Sequence, residues 1–586
     1  MRKSTPLAAI AICMTTTISA LAATPNWKAR LARATDDYFD QVYFHYGPSN
    51  GTLAGFHQYD SQLEDLSRPA IDAEIVALKT FEQRIEAIHP DDSRASFVPR
   101  SDREIVLNNI RSQLLTLQTI RPWEKQPDAY SSACANGAFV LMERKFAPPD
   151  GRLRSLISRE KHMPALLAAA RANLRNPPHI FTQIAIEQLP DIITFFQHDV
   201  PQAFADAGDP ALKSEFAQSN AAVVAALDDY LQWLKTDVLP ISNGDFRIGA
   251  DTFSKKLQYD EMVDIPLGKL LQIGWTDIRK NQEHFRQVAA ELEPGKDPHV
   301  VREELGEQHP APDQLLASFR STFDSLIEFI QSHHIVTIPS NVRPILQETP
   351  PFMRATTTAS MDTPGPYETH STEAYFNVTL PDPSMTPAEA DGYMHGFNVG
   401  TLISTAVHEA YPGHYVQFLW VPQAPSKVRK LLGANTNAEG WAHYCEQMML
   451  DEGYGQPGAG AKDERESKLI RLGQLQDALL RNARFIVGIQ MHTGNMTIEQ
   501  AEDFFQKEGY QSKENAVVET KRGAGDPTYL YYTLGKLEIL KLRDDLKKKE
   551  GSSFSLEKFH DDFLRQGFPP IKIVREAMLG DNSPAL

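Results

Sequence analysis

Thr405-Ala406-Val407-His408-Glu409-Ala410-Tyr411-Pro412-Gly413-His414 decides how this chain is read. A histidine, the glutamate after it and a second histidine are what a zinc hydrolase needs. Two neutral imidazoles and a third protein ligand hold the metal, and one position stays open to water. The glutamate takes a proton from water and passes it to the leaving group. The spacing departs from the usual one. Histidines four apart lie about 40° apart around a helix, whereas histidines six apart lie about 240° apart and cannot share a face. Pro412 and Gly413 stand between them. Proline removes a helix hydrogen bond and glycine relaxes the backbone, so the expectation is a bulge that absorbs two extra residues.

A third ligand is sought downstream. Ala438-Glu439-Gly440-Trp441-Ala442-His443-Tyr444-Cys445-Glu446 opens another helical pattern, 25 residues beyond His414 at Glu439. Glu439 and Glu446 share a helical face, so either suits the role. The other would orient a histidine from behind.

Outward from this core the pattern stays helical. Apolar residues recur at three- and four-residue spacing over Arg111–Thr119, Met163–Leu174, Asn220–Leu234 and Leu315–Ile330. Two strands are expected: His334–Ile338, stopped by Pro339, and Ala374–Leu380, stopped by Pro381. The second reads as an edge strand on which an extended peptide pairs, or as a plain hairpin. Glu293–Gln314, Pro339–Thr372 and Asp451–Asp463 read as irregular from their charge, proline or glycine content.

Asp477, Arg481, Arg484 and Gly488 lie at helical steps on a segment whose Leu472, Leu475, Leu479, Ala483 and Ile486 would pack inward. Arg484 is the candidate fork for a peptide carboxylate, and Arg481 the candidate structural partner of Asp477. His492 ends that helix as a second candidate donor. In Asp526–Lys536, Tyr529, Tyr532 and Lys536 are read on one face, with Tyr532 the first choice for holding an oxyanion.

The 586 residues are 41% hydrophobic and 23% charged, which is globular composition. A net charge of −17 disfavours nucleic-acid partners. Arg2 and Lys3, the apolar run Pro6–Ala22 and Ala20-Leu21-Ala22 read as a signal peptide cleaved after Ala22, leaving a soluble periplasmic or secreted protein. Cys13 follows Ile12, a poor fit to a lipoprotein cleavage box. Cys134 and Cys445 then remain, enough for one disulfide that sequence cannot establish. The composition shift divides the rest into an N-terminal helical lobe, 23–335, and a C-terminal lobe with the metal site, 336–586. No G-x-x-x-x-G-K-[ST] signature is present, which disfavours P-loop nucleotide chemistry.

H-E-A-Y-P-G-H-Y at 408–415, A-E-G-W-A-H-Y-C-E at 438–446, R-N-A-R-F-I-V-G-I-Q-M-H-T-G at 481–494 and D-P-T-Y-L-Y-Y-T-L-G-K at 526–536 resemble the bacterial family called domain of unknown function 885. The likeness spans most of the mature chain and is strongest from about residue 370 to 545. That family resembles zinc metallopeptidases with two histidines and a downstream glutamate. The resemblance implies a mainly α, two-lobed fold with a central cleft and a small β-sheet near the site. It implies His408, His414 and Glu439 as zinc ligands and Glu409 as general base. Two departures stand out: Tyr415, where many relatives carry a further histidine, and His443 with Cys445, where some branches have leucine and alanine. The expected function is zinc-dependent hydrolysis of short peptides, with an exopeptidase favoured by the resemblance alone. The rivals are an amide hydrolase on the same site and a catalytically silent periplasmic binding protein.

Overall fold

A computed structural model describes residues 26–586 apart from 92, 94–95, 351–353 and 355–356. The signal-peptide reading of residues 1–22 lies outside the described residues. The fold is mainly helical, and its centre is one long helix, Glu464–His492. Leu472, Leu475, Leu479, Ala483 and Ile486 are buried as expected, but so are Phe485, Val487 and Ile489 on the other sides. A helix apolar all round belongs in an interior. This one is wrapped by Leu267–Leu292, by the motif helix Val399–Glu409 and by Tyr531–Glu550. Leu267–Leu292 turns an amphipathic stripe towards it, with Leu270, Gly274, Ile278, Phe285 and Leu292 buried.

The return helix, Asn435–Asp451, packs along Tyr531–Glu550. The two meet backbone to backbone: a Cβ at Gly440 would lie 2.6 Å from Gly535 Cα, and one at Gly535 would lie 2.0 Å from the Thr436 carbonyl. Only paired glycines permit that approach, and it carries Glu439 towards Tyr532.

The expected helical runs at 163–174, 220–234 and 315–330 fall in helices Met163–Asn173, Pro210–Trp233 and Leu315–Ser332. The run at 111–119 closes helix Phe97–Leu115 and continues into a π-helical turn, Thr116–Ile120. Glu293–Gln314 is not irregular throughout. Asp297 accepts a hydrogen bond from His299 N, and Pro298 starts helix Pro298–Gly306, the order that favours helix initiation.

The small sheet is real, but its strands differ from expectation. β1 (Ile345–Glu348) and β2 (Ala359–Asp362), both inside the stretch read as irregular, flank β3 (Tyr375–Val378). β1 runs parallel to β3 with Ile345 opposite Tyr375, and β2 runs antiparallel with Ala359 opposite Val378. The expected edge strand is therefore the central one. His334–Ile338 is not a strand. Its backbone is satisfied by side chains instead: His560 Nδ1 donates to Ile335 O, Trp420 Nε1 to Thr337 O, and Asp561 accepts from Thr337 N. Asp451–Asp463 holds two two-residue strands, Gln456–Pro457 and Gly460–Ala461.

One buried cluster gathers apolar residues from 130 to 238, and another gathers residues from 315 to 579 around the motif helix. Four more join residues on both sides of position 335. Cys134 and Cys445 are free thiols in separate clusters, so no disulfide links them. No described helix is long and apolar enough to cross a membrane.

Candidate metal centre

The motif helix starts where the Asn398 side chain accepts from Gly400 N and Thr401 N, and it ends at Glu409. The next helix begins at His414. The expected bulge is thus a complete break of four residues, through a cis Tyr411–Pro412 peptide and Gly413. Gly413 N donates to Val407 O at 2.9 Å, folding the chain back onto the last helical turn. A Cβ on Gly413 would stand 1.8 Å from the His408 carbonyl, so the fold-back needs glycine. It brings two histidines from opposite helical directions face to edge, with ring centroids 4.9 Å apart and planes at 90°.

The return helix supplies the third group. Glu439 Oε2 lies 3.4 Å from His408 Nε2 and 3.5 Å from His414 Nε2. That oxygen is buried and makes no hydrogen bond. Ligands about 2.0–2.1 Å from a tetrahedral zinc stand about 3.3 Å apart, so these separations fit such an ion between them. Burial pushes the Glu439 carboxyl up, but the two imidazoles outweigh it and hold the group well below the usual carboxylate range.

Glu446 takes the other role open to the pair. Wholly buried, it accepts from His408 Nδ1 at 2.7 Å and from His443 Nδ1 at 2.9 Å, and Arg481 Nη2 stands 3.3 Å away. A carboxylate on Nδ1 fixes the His408 tautomer with Nε2 turned to Glu439. Burial opposes a charge on Glu446, but Arg481 and His443 hold the carboxyl well below its usual range. Burial also opposes a charge on His408, yet Glu439 and Glu446 raise the imidazole to about 10 in the absence of metal. Burial takes His443 the other way, to about 4.

Glu409 points from the end of the motif helix to the sheet, where its Oε2 accepts from Met361 N of β2 at 3.2 Å. Tyr532 stands on the remaining side, its ring stacked 6.4 Å from that of His408. Its hydroxyl accepts from Arg522 Nη2 at 3.0 Å. Arg481, Arg484 and Arg522 all lie over the Tyr532 ring, at 5.8, 4.9 and 5.8 Å from its centroid.

The structure thus brings together His408, Glu409, His414, Glu439 and Tyr532. It gives the other expected substrate-binding residues interior partners. Arg484 is occupied by Glu519 through Nε at 2.6 Å and Nη2 at 2.8 Å, leaving its fork engaged. Lys536 Nζ donates to Asp277 at 3.2 Å, and His492 Nε2 to Gly523 O at 2.8 Å. Tyr529 precedes the helix that carries Tyr532 and is packed against Gly488 and Gly523. Sequence reasoning missed Met361 N and Arg522. The first is a backbone group with no side-chain signal, and the second lies ten residues from its partner tyrosine in another helix, Lys513–Gly525.

Residues 48–578 match the family described as "Bacterial protein of unknown function (DUF885)". No curated protein matches the chain. A solved structure described as a putative lipoprotein of unknown function from Shewanella oneidensis is similar at 26% identity, with a TM-score of 0.78 over 95% of this chain and all of the other. A putative lipoprotein from Colwellia psychrerythraea is similar at 18% identity and a TM-score of 0.72, over 94% and 98% of the two chains, which bears on fold alone.

Proposed function

This chain belongs to the DUF885 family of bacterial proteins, and from that premise we propose that it is an exported zinc-dependent peptidase acting on short peptides. One observation carries the reading: two imidazole Nε2 atoms converge on a buried, unbonded Glu439 oxygen at 3.4 and 3.5 Å, beside the Glu409 carboxylate. His408, His414 and Glu439 would hold the metal, a donor set that suits zinc. Zinc held there would supply a Lewis acid that polarises a scissile carbonyl and acidifies water.

The chain's own residues do the rest. Glu409 accepts a proton from water and delivers it to the leaving amine. Tyr532 directs its hydroxyl proton to the oxyanion that forms, while Arg522 holds the phenol oxygen from behind. Met361 N fixes Glu409 and marks β2 as the sheet edge beside the reacting bond, where an extended peptide would lie. The proposal includes a two-lobed architecture with a cleft, supported by the separate core clusters at 130–238 and around the motif helix. Export rests on the signal-like first residues and on a relative described as a putative lipoprotein.

The first test is metal content of the purified mature protein by mass spectrometry, beside His408→Ala. Zinc bound at the motif and lost in that variant supports the centre. A screen of peptides against simple amides and esters then separates a peptidase from an amide hydrolase. Metal-independent behaviour of the motif would leave a binding protein.

A further inference from the structure

A second group of metal-ligating side chains lies at the other end of the motif helix, about 15 Å along its axis from His408. We propose that His309, His395, Asp391 and Glu307 form a second site for a divalent transition cation of the zinc class. His309 Nε2 stands 3.3 Å from Asp391 Oδ1, and His395 Nε2 stands 3.4 Å from Glu307 Oε1 and 3.7 Å from Asp391 Oδ2. The ligand atoms of the two histidines and Asp391 all lie within 4.8 Å of one another. The 3.3 and 3.4 Å separations match the roughly 3.3 Å edge of a tetrahedral zinc site, and the 3.7 Å one is longer than those of the first centre.

Two details turn the imidazoles to one point. His309 Nδ1 donates to Pro310 O at 2.9 Å, which leaves Nε2 with a free lone pair. His395 is wedged against Gly306, where a Cβ would lie 3.1 Å from ring atoms Cγ and Nδ1. Its Nε2 is shielded from water yet makes no hydrogen bond, with two carboxylates at ion-pair distance. A bound cation satisfies all of them at once. Two imidazoles disfavour calcium and magnesium, which take oxygen ligands. Glu307 and His309 also line a cavity of about 640 Å³, through which an ion would reach the site.

The site would clamp two segments that already meet. Val399 N, the first residue of the motif helix, donates to Gln308 O at 2.8 Å, and Asn398 Nδ2 donates to His395 O at 3.1 Å. A cation joining Glu307 and His309 to Asp391 and His395 closes that junction with side chains as well as backbone.

The test is zinc stoichiometry of the full chain after equilibration with zinc and removal of free ion. Wild type is expected to hold two equivalents and His408→Ala/His414→Ala one. Adding His309→Gln/His395→Gln to that double variant removes the last. Cobalt loaded into the His408→Ala/His414→Ala protein should give d–d absorption bands that vanish in the fourfold variant. Asp391→Asn, at a 60% exposed side chain, should weaken this binding about tenfold. A His408→Ala/His414→Ala protein that is folded by circular dichroism and binds no zinc overturns the second site and leaves the first standing. A wild type that holds a single equivalent, kept on loss of His408 and His414 but lost with His309 and His395, supports the second site and overturns the proposed function.

Discussion

The two clusters at the ends of the motif helix use the same chemistry and differ in what stands behind it. Behind His408 is Glu446, itself held by His443 and Arg481, all within the core. Behind His309 is only the carbonyl of the next residue, and the carboxylates Asp391 and Glu307 are 60% and 63% exposed. A braced, buried centre holds its groups for chemistry, because the His408 imidazole is fixed before substrate arrives. An exposed one closes a junction and exchanges its ion. The same two amino-acid types thus build different devices according to burial and a single supporting carboxylate.

The sharpest way to break the comparison is Glu409→Gln. It removes the base and keeps the ligands, so turnover should fall by up to about 10⁴-fold with motif zinc retained, read by peptide hydrolysis beside metal analysis. Full activity in this variant would end the proposed mechanism. Tyr532→Phe removes an oxyanion donor and leaves the packed ring; a drop of about 10² to 10³ in kcat with little change in KM is expected. Glu446→Gln tests the bracing itself: zinc affinity at the motif should fall about 10- to 100-fold, measured by competition with a chelator, while Glu409 remains in place. Partial chelation of wild type should then strip the exposed site before the braced one, with peptide hydrolysis persisting until the second ion leaves.

The smallest expected effect concerns histidines with neutral partners. Carboxylates raise His408, whereas burial lowers His492 to about 4 and His560 to about 3. His560 donates from Nδ1 to Ile335 O and accepts from the Tyr444 hydroxyl at Nε2, so the fold needs it neutral. Its folded pKa lies below the unfolded value near 6.5. Between them the unfolded chain binds the proton and the folded chain does not. Stability is therefore full above about pH 6.5 and falls as pH drops towards about 4 for His492 and about 3 for His560. Denaturant unfolding at stepped pH should show that slope, and His560→Gln should reduce it.

The helical class and the meeting of the two motif histidines with Glu409 and with a glutamate from a second helix were legible, because each is a side-chain type at a spacing the chain itself carries. The assignment of Arg484, Lys536, Tyr529 and His492 to substrate was not secure from the same information. A charged residue on a helix face announces its chemistry but not its partner, and Glu519, Asp277 and Gly523 O answer three of these four from other segments. The sheet was misread for a related reason. β1 and β2 are four residues each, inside a proline- and threonine-rich stretch, and exist as strands only because β3 pairs with both.

By itself the sequence determined which atoms are offered: two imidazoles, their carboxylates, a broken helix between them and the glycines that let backbones touch. Only the tertiary structure decided which carboxylate faces Nε2 and which faces Nδ1. Glu439 and Glu446 are two turns apart on one helix face, equivalent by spacing, and the distinction arises from how the return helix crosses the motif helix. Local pattern fixes a residue's direction about its own axis, whereas the distance to a partner depends on the packing of two helices, and a coordination shell is made of such distances.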